Sequence, residues 1–476
     1  MPGRATQSGG EHCARVSRRH FLATSGAVLG TGLAVPTIIP ASARGADGKA
    51  APSNRIGVAM IGLGRQALAY NLGPFMKEPD SQVVALCEVD RWRLRLDSSA
   101  AAKCAAKNGF APDAFKGCFR TTDFREVLAR KDVDAVMITT PDHWHVSIAL
   151  AAIKARKDVC CEKPIGLCVE HGRILADAAA KARCVFRTDS EFRSKPEFFQ
   201  AVGLVRSGKI GQLKTIRFAA PAYNKMCPPL PMQPSMPVPE ELDYDMWLGP
   251  APLAPYTEQR VHAHNDVDGT YSRPGWYGSR TYCDGGICNW GYHIADNVQW
   301  GNNSERTGPV EIEGRGEFPP IDYLHNGIQG WEVRYRYANG VEALYVNSDR
   351  SPSNQPTGIR FEGTEGWVSV VPFKNGMQGL DAEPKSLLTA TLGPEDFPYT
   401  LKHEKRDFLD CVKTRGQTLE DAEVGHRSTT VCQLGYIACL TGRKLKWDPV
   451  AERFAGDDEA NRLLSLPPGR APWSVT

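Results

Sequence analysis

The sequence has no basic run and carries no net charge beyond its first 43 residues. Four of its 57 basic and one of its 54 acidic residues lie in 1–43, which leaves 53 of each sign over the rest of the chain. A body so balanced has no electrostatic footprint for nucleic acid or an anionic membrane surface, and neither is expected as a partner. No C-x-x-C and no cysteine–histidine zinc spacing occurs among the fourteen cysteines, so no metal is expected. No period of 20 to 50 residues is visible, which argues against a repeat architecture. With 42% hydrophobic and 23% charged residues, the chain is neither largely disordered, collagen-like nor a polytopic membrane protein. Its 476 residues suggest two or three domains.

Residues 1–43 read as a leader. Ser17-Arg18-Arg19-His20-Phe21-Leu22 precedes small and apolar residues from Ala23 to Ile39, and Ala41-Ser42-Ala43 offers a cleavage site. The segment resembles a twin-arginine export signal, which implies a periplasmic or exported protein that crosses the membrane folded. Pro36 and Pro40 argue against an anchor helix. Residues 44–54 read as a linker. A chain folded before export keeps its thiols reduced, so few or no disulfides are expected. Cys87, Cys160, Cys161, Cys411, Cys432 and Cys439 sit in apolar surroundings, while Cys283 and Cys288 flank a more polar segment.

Residues 55–183 read as βαβ units. The apolar run Ile56–Ile61 ends in Gly62-Leu63-Gly64-Arg65-Gln66-Ala67, a G-x-G-x-x-A turn opening a helix. Gly62 permits the tight turn, Gly64 lets a pyrophosphate approach the backbone, and Ala67 lets the helix pack on the strand. The next strand, Gln82–Cys87, ends at Glu88, whose carboxylate suits both ribose hydroxyls of NAD and repels a 2′-phosphate. Arg91, able to stack on adenine or meet a phosphate, keeps NADP as the alternative. Two further strands end at Thr140-Pro141-Asp142-His143-Trp144-His145 and at Glu162-Lys163-Pro164. Ligands bind along that carboxyl edge in a doubly wound sheet. Asp142 reads as a helix cap.

These motifs together resemble the glucose-fructose oxidoreductase/inositol dehydrogenase (Gfo/Idh/MocA) family over residues 53–476. Glu162-Lys163-Pro164 is the most specific element. The resemblance implies an α/β protein: an N-terminal Rossmann domain and a C-terminal α+β domain with a large open, mainly antiparallel sheet. It also implies NAD(P)-dependent chemistry on a sugar or cyclitol, and a homo-oligomer, dimer or tetramer, formed through the open sheet. Residues contacting the cofactor would be Gly62, Gly64, Arg65, Gln66, Ala67, Glu88, Arg91, Thr140, Pro141, His143, His145, Glu162 and Lys163.

Residues 184–446 read as the substrate and oligomerisation domain. Longer alternating strands appear at Lys214–Ala220, at Trp331–Tyr337 with its return Val341–Val346, and around Gly358–Val371. Met226–Pro239 is proline-dense and reads as a surface loop. In Asp284-Gly-Gly-Ile-Cys-Asn289-Trp-Gly-Tyr-His293-Ile-Ala-Asp296, helical spacing places Asn289, His293 and Asp296 on one face. By the resemblance, His293 is the general base and Lys163 holds the reacting oxygen. Asn289 stands where the family often has aspartate and cannot stabilise an imidazolium by charge. Trp144, Arg193, His262, His264 and Asp296 are candidate substrate contacts, with Asp296 better read as a support. Residues 447–476 read as a tail packing back on the domains.

The expected function is an exported oxidoreductase transferring hydride between a tightly held nicotinamide cofactor and a sugar hydroxyl. The first alternative is a redox-assisted glycosidase or lyase working through a transient keto-sugar. The second is a sugar-binding protein with a vestigial cofactor domain.

Overall fold

Two sheets organise the chain in the computed structural model, which describes residues 54–95, 117–221, 226–261, 275–347, 356–374 and 376–475, with isolated positions between 95 and 117. The leader, and the segment holding His262, His264 and Asp266, lie outside the described residues. The first sheet consists of β1 (Ile56–Ile61), β2 (Ser81–Cys87), β3 (Phe119–Thr121), β4 (Ala135–Ile138), β5 (Asp158–Glu162) and β6 (Phe186–Asp189), all parallel. Their order is β3-β2-β1-β4-β5-β6. Apolar layers cover both faces, so β1, β4 and β5 are buried along their whole length. The order reverses between β1 and β4, where the carboxyl ends part to leave a crevice.

The domain boundary expected at residue 183 falls one strand short. β6 reads Phe-Arg-Thr-Asp, and its charges hide it from a hydrophobic pattern although all four residues are buried. Arg187 is neutralised by Asp407 and Glu420, and Asp189 by Lys405. These partners come from far along the chain.

Among the described residues, the α-helices of six residues or more are α1 (Leu72–Lys77), α2 (Phe124–Ala129), α3 (His145–Lys154), α4 (Val169–Ala182), α5 (Pro196–Arg206), α6 (Gly291–Gly301), α7 (Glu404–Thr414) and α8 (Ala422–Thr441). Helices α5, α6 and α8 cover one face of the second sheet. Its nine strands are β7 (Leu213–Ala220), β8 (Pro309–Glu317), β9 (Gly330–Tyr337), β10 (Glu342–Asn347), β11 (Gly358–Gly363), β12 (Trp367–Val370), β13 (Leu380–Glu383), β14 (Leu445–Asp448) and β15 (Arg453–Phe454). The order is β13-β12-β11-β7-β10-β9-β8-β14-β15, with β7 and β10 parallel and the other neighbours antiparallel. Alternation along the strands turns Trp331, Val333 and Tyr335 to the core and leaves Arg334 and Arg336 exposed.

Helix α6 is buried over all eleven of its residues. Its Gly291 is obligatory, since a Cβ there would stand 1.9 Å from the Tyr345 hydroxyl. Helix α7, expected to serve the second domain, instead packs Phe408 and Leu409 into the apolar layer of the first sheet. The tail folds back as well. Trp473 meets Phe124 and Trp144, and Arg470 binds the Gly249 carbonyl and Asp245. The twelve described cysteines are free thiols.

Candidate active site

The glycine turn leaves β1 with Gly62 at φ +89°, a conformation that L side chains rarely adopt. A Cβ there would meet the Thr139 carbonyl oxygen at 2.6 Å, so only glycine lets β1 and β4 approach this closely. Gly64 differs: nothing lies within 4 Å of where its Cβ would stand. That open space beside the helix start is the cradle a pyrophosphate would fill. Ala67 packs into the core beneath it and does not face the crevice.

A cavity of about 290 Å³ runs from this turn to the second domain. Gly62, Gly64, Arg65, Gln66, Glu88, Thr140, Pro141, Trp144, His145, Glu162, Lys163, Asn289 and His293 all line it. Residues expected to hold a cofactor and residues expected to react therefore share one space. Glu88 accepts from the backbone N–H of Leu63 (2.7 Å) and of Asp90 (3.1 Å), which fastens the glycine loop to the end of β2. Burial pushes the Glu88 carboxyl upward, against the pull of Arg93.

Besides Ala67, two expected cofactor residues face elsewhere. Asp90 caps the single helical turn Arg91–Leu94 by accepting from the Trp92 N–H (2.9 Å). That turn points Arg91 to solvent and carries Arg93, two residues on, into the crevice wall. His143 is rotated away by the 3₁₀ turn Asp142–Trp144; its Nε2 donates to the Trp247 carbonyl (3.0 Å) and its ring packs on Tyr282. Burial lowers the His143 pKa to about 4. The two ring nitrogens of His145 reach the Pro164 carbonyl (2.9 Å) and the Thr140 carbonyl (3.0 Å), tying the ends of β4 and β5 together.

Lys163 projects from the end of β5. Its ammonium donates to the backbone carbonyl of Asn289 (2.9 Å) and to its side-chain oxygen Oδ1 (3.1 Å). The same Oδ1 accepts from the Tyr277 hydroxyl (2.5 Å). The Asn289 Nδ2 in turn donates to both oxygens of Asp142, at 3.0 and 2.8 Å. Asp142 is buried, which raises its pKa, offset by His145 and Lys163. Glu162, also buried, accepts from Asn71 Nδ2 (2.8 Å); burial and then Asp189 push its carboxyl up to about 8.

His293 lies one turn beyond Asn289, stacked on Phe192 with ring centres 4.7 Å apart. Its Nδ1 is 2.9 Å from the Ser190 hydroxyl. Burial, followed by the nearby ammonium groups of Lys163 and Lys195, holds its pKa well below the ordinary histidine value, so the imidazole is neutral. Arg193 and Asp296 do not line the crevice. They form a fully buried bidentate pair with both contacts at 2.7 Å, and Arg193 also holds Glu305. With its donors engaged, Arg193 supports α6 and has no substrate to meet. Helical spacing gave Asp296 the correct face but could not show that its partner was already inside the protein.

Tyr277, Asp142 and Arg93 also line the cavity and were not singled out as site residues by sequence reasoning, and neither was Asn71, which stands behind it as a donor to Glu162. Tyr277, within Gly275-Trp-Tyr-Gly278, lies outside every motif, and its role depends on a contact with Asn289. Trp276, Trp290 and Phe373 form an aromatic outer wall of the crevice beside Glu191. Among the described residues, no group of three histidine, cysteine or acidic side chains is placed to hold a metal.

The open cradle over Gly64, the carboxylate at Glu88 and the helix that follows fit a dinucleotide. The model of an oxidoreductase-family NAD-binding Rossmann fold matches residues 56–190, and the model of the same family's C-terminal α/β domain matches 230–475. The chain belongs to the Gfo/Idh/MocA oxidoreductase family. Its first domain is thus an NAD-binding Rossmann domain. A glycosyl hydrolase family 109 protein of Stenotrophomonas maltophilia is 28% identical over 198 residues, 42% of this chain and 40% of that protein. A levoglucosan dehydrogenase of Pseudarthrobacter phenanthrenivorans is 32% identical over 97 residues, 20% of this chain and 25% of that one. The matches span less than half the length of these relatives. Among solved structures, aldose-aldose oxidoreductase of Caulobacter crescentus, complexed with glycerol, superposes with TM-score 0.56 at 17% identity, covering 82% of this chain and 99% of that one. A dehydrogenase of Bordetella pertussis in complex with NADH and UDP-GlcNAcA gives TM-score 0.57 at 14% identity, covering 83% and 99%. Such likeness shows the shared two-domain fold.

Proposed function

We propose that this family member transfers hydride between a captive nicotinamide cofactor and a hydroxyl of a sugar or sugar derivative, outside the cytoplasm after twin-arginine export. The observation that carries this reading is the meeting of Lys163, Asn289, Tyr277 and His293 in the cavity that begins at the glycine turn. When bound, the nicotinamide supplies a two-electron hydride acceptor or donor. Everything else falls to the chain. Oxidising a C–OH group removes a hydride from carbon and a proton from oxygen. The Lys163 ammonium has three protons, of which Asn289 takes two, so one is left to hold the reacting oxygen and stabilise its developing charge. Neutral His293 accepts the hydroxyl proton on Nε2, the ring nitrogen turned away from Ser190. Trp276, Trp290 and Phe373 offer apolar faces on which a pyranose ring can stack.

A strap from the second domain supports captivity of the cofactor. The Asp243 N–H donates to the Val89 carbonyl (3.0 Å), and the Arg91 N–H donates to the Glu241 carbonyl (3.0 Å). The Trp144 indole donates to the carbonyls of Met246 (3.0 Å) and Trp247 (3.1 Å). Residues 241–247 therefore cross the strand edge beside Glu88, and Met246 and Trp247 line the cavity. An exported enzyme meets no pool of free NAD, so retention lets one cofactor serve both half-reactions.

The second reading, redox-assisted cleavage of a glycoside, is favoured by two features. An imidazolium at His293 is disfavoured by burial and by two ammonium groups, which suits a proton that is borrowed and returned. The relatives named glycosyl hydrolases point the same way. A homo-oligomer through the open sheet belongs to both readings.

Mass spectrometry of protein purified without added cofactor tests the proposal, followed by incubation with free aldoses and p-nitrophenyl glycosides. Bound NAD(P) and its reduction by one sugar and reoxidation by another are expected. Release of p-nitrophenol with no net reduced cofactor selects the second reading. Protein that carries no nicotinamide and reacts with neither probe set refutes both.

A further inference from the structure

Asn289 departs from the aspartate that the motif resemblance leads one to expect, and the geometry around it explains how a carboxylate still serves the centre. An amide has two unlike ends. Here the carbonyl end faces two donors, Lys163 and Tyr277, while the NH₂ end faces Asp142, a carboxylate that can only accept. A flipped amide would turn NH₂ toward the ammonium and its carbonyl toward the carboxylate, losing the bonds to Lys163 and to both oxygens of Asp142. Asp142 therefore fixes the amide in one orientation. An aspartate at 289 would put a carboxylate oxygen where the amide nitrogen now stands, 2.8 and 3.0 Å from the oxygens of Asp142. Two buried carboxylates at that separation repel strongly.

We propose that Asp142 is the positioning residue of the reacting centre, its carboxylate acting on Lys163 through the oriented Asn289 amide, so that positions 142 and 289 form one unit that works with a single carboxylate. The inference rests on the reading of Lys163 as the group that holds the reacting oxygen. The titratable groups that face Asp142 from the surrounding elements are His145, Lys163, Cys161, Cys283, Asp284 and Cys288. Lys163 is the one ammonium in that set, and it reaches the backbone carbonyl and the side-chain oxygen of the Asn289 that Asp142 holds. Neither Asp142 nor Asn289 needs to touch the substrate to set where Lys163 points.

A charge-swap set in the full chain tests this: Asp142→Asn, Asn289→Asp and the double variant, each assayed for turnover and for thermal unfolding across pH. Asp142→Asn retains its cofactor and loses roughly tenfold or more in turnover, the scale of one hydrogen bond to a charged group. Its KM changes less than its kcat, because the ground-state contacts of the sugar remain. Asn289→Asp unfolds at progressively lower temperature as pH rises above the ordinary carboxylate range, since both acids must then ionise together. The double variant, again with one carboxylate, regains the alkaline stability of the native chain and most of its turnover. Native turnover in Asp142→Asn overturns the proposal, and so does a double variant no more stable at alkaline pH than Asn289→Asp. If the native chain transfers hydride with no sugar tested, the oxidoreductase reading fails instead. The stability arm then decides: recovery in the double variant supports the paired unit, and no recovery overturns it.

Discussion

Asn289 in the turn before α6, His293 in its first turn and Asp296 one turn later follow helical spacing but belong to two different regions. The first two look into a cavity with hydrogen-bonding capacity to spare: Lys163 has a third proton and His293 a second nitrogen. Asp296 looks into protein, where Arg193 and Ser428 fill its valences. Polar residues at helical spacing therefore announce a buried face and say nothing about whether it reacts. Chemistry belongs to the region whose groups remain unsatisfied.

The largest effect that sharpens this contrast is expected on the satisfied side. Arg193→Ala leaves the Asp296 carboxylate buried without its cation and should cost about 3–5 kcal/mol of stability. Urea unfolding monitored by circular dichroism measures it. A loss below about 1 kcal/mol, the scale of an exposed pair, would mean that Arg193 is not structural. On the reacting side, Lys163→Ala should cost less stability than Arg193→Ala, because Asp142 keeps its bonds to Asn289, while turnover falls about a hundred- to a thousandfold, as when an oxyanion donor is removed. His293→Ala should fall by a comparable factor, about 10² or more. A Lys163→Ala protein that unfolds readily, or an Arg193→Ala protein that is stable and inactive, would reverse the assignment of the two regions.

The histidines divide in the same way. His143 is half-buried in the strap contact rather than in the cavity, with a folded pKa near 4 against an ordinary value near 6.5. Below pH 6.5 the unfolded chain takes up a proton that the folded chain refuses. The stability of that neutral ring is thus complete above pH 6.5 and lost as pH falls toward 4, by roughly 3 kcal/mol in all. Comparing native and His143→Gln proteins by unfolding across this window isolates the effect. Parallel curves would show that His143 is solvated and the strap loose.

The first sheet was legible because apolar runs separated by turn chemistry describe buried parallel strands directly, and the glycine turn adds a backbone requirement at Gly62 that no other residue meets. The second sheet was legible through alternation, as in Trp331–Tyr337. β6 was not, since Arg187 and Asp189 look like loop residues until Glu420, Asp407 and Lys405 are brought beside them. The same limit applied at the site. Lys163 and His293 stand in recognisable motifs, whereas Tyr277 and the role of Asp142 exist only as contacts across 12 and 147 residues of chain. Local pattern carries local physics; a hydrogen bond between distant segments leaves no mark in either segment alone.

The smallest effect concerns the cofactor end, where a two-residue shift separates a surface arginine from a lining one. Because Asp90 starts a helical turn, Arg91 emerges into solvent and Arg93 is drawn back beside Glu88 at 3.8 Å from Asp90. An arginine in that wall can pair with a 2′-phosphate or buttress the carboxylate that accepts from ribose, whereas one in solvent can do neither. Arg91→Ala should therefore change cofactor affinity by less than about twofold, the scale of an exposed side chain. Arg93→Ala should weaken it by up to about tenfold, the scale of one charged contact. Titration of cofactor-stripped protein with NAD⁺ and NADP⁺ reads both. Equal effects at the two positions would mean that the helical turn after Asp90 does not form. A loss confined to NADP⁺ at Arg93 would show that this side chain, and not Glu88 alone, sets the preference between the two cofactors.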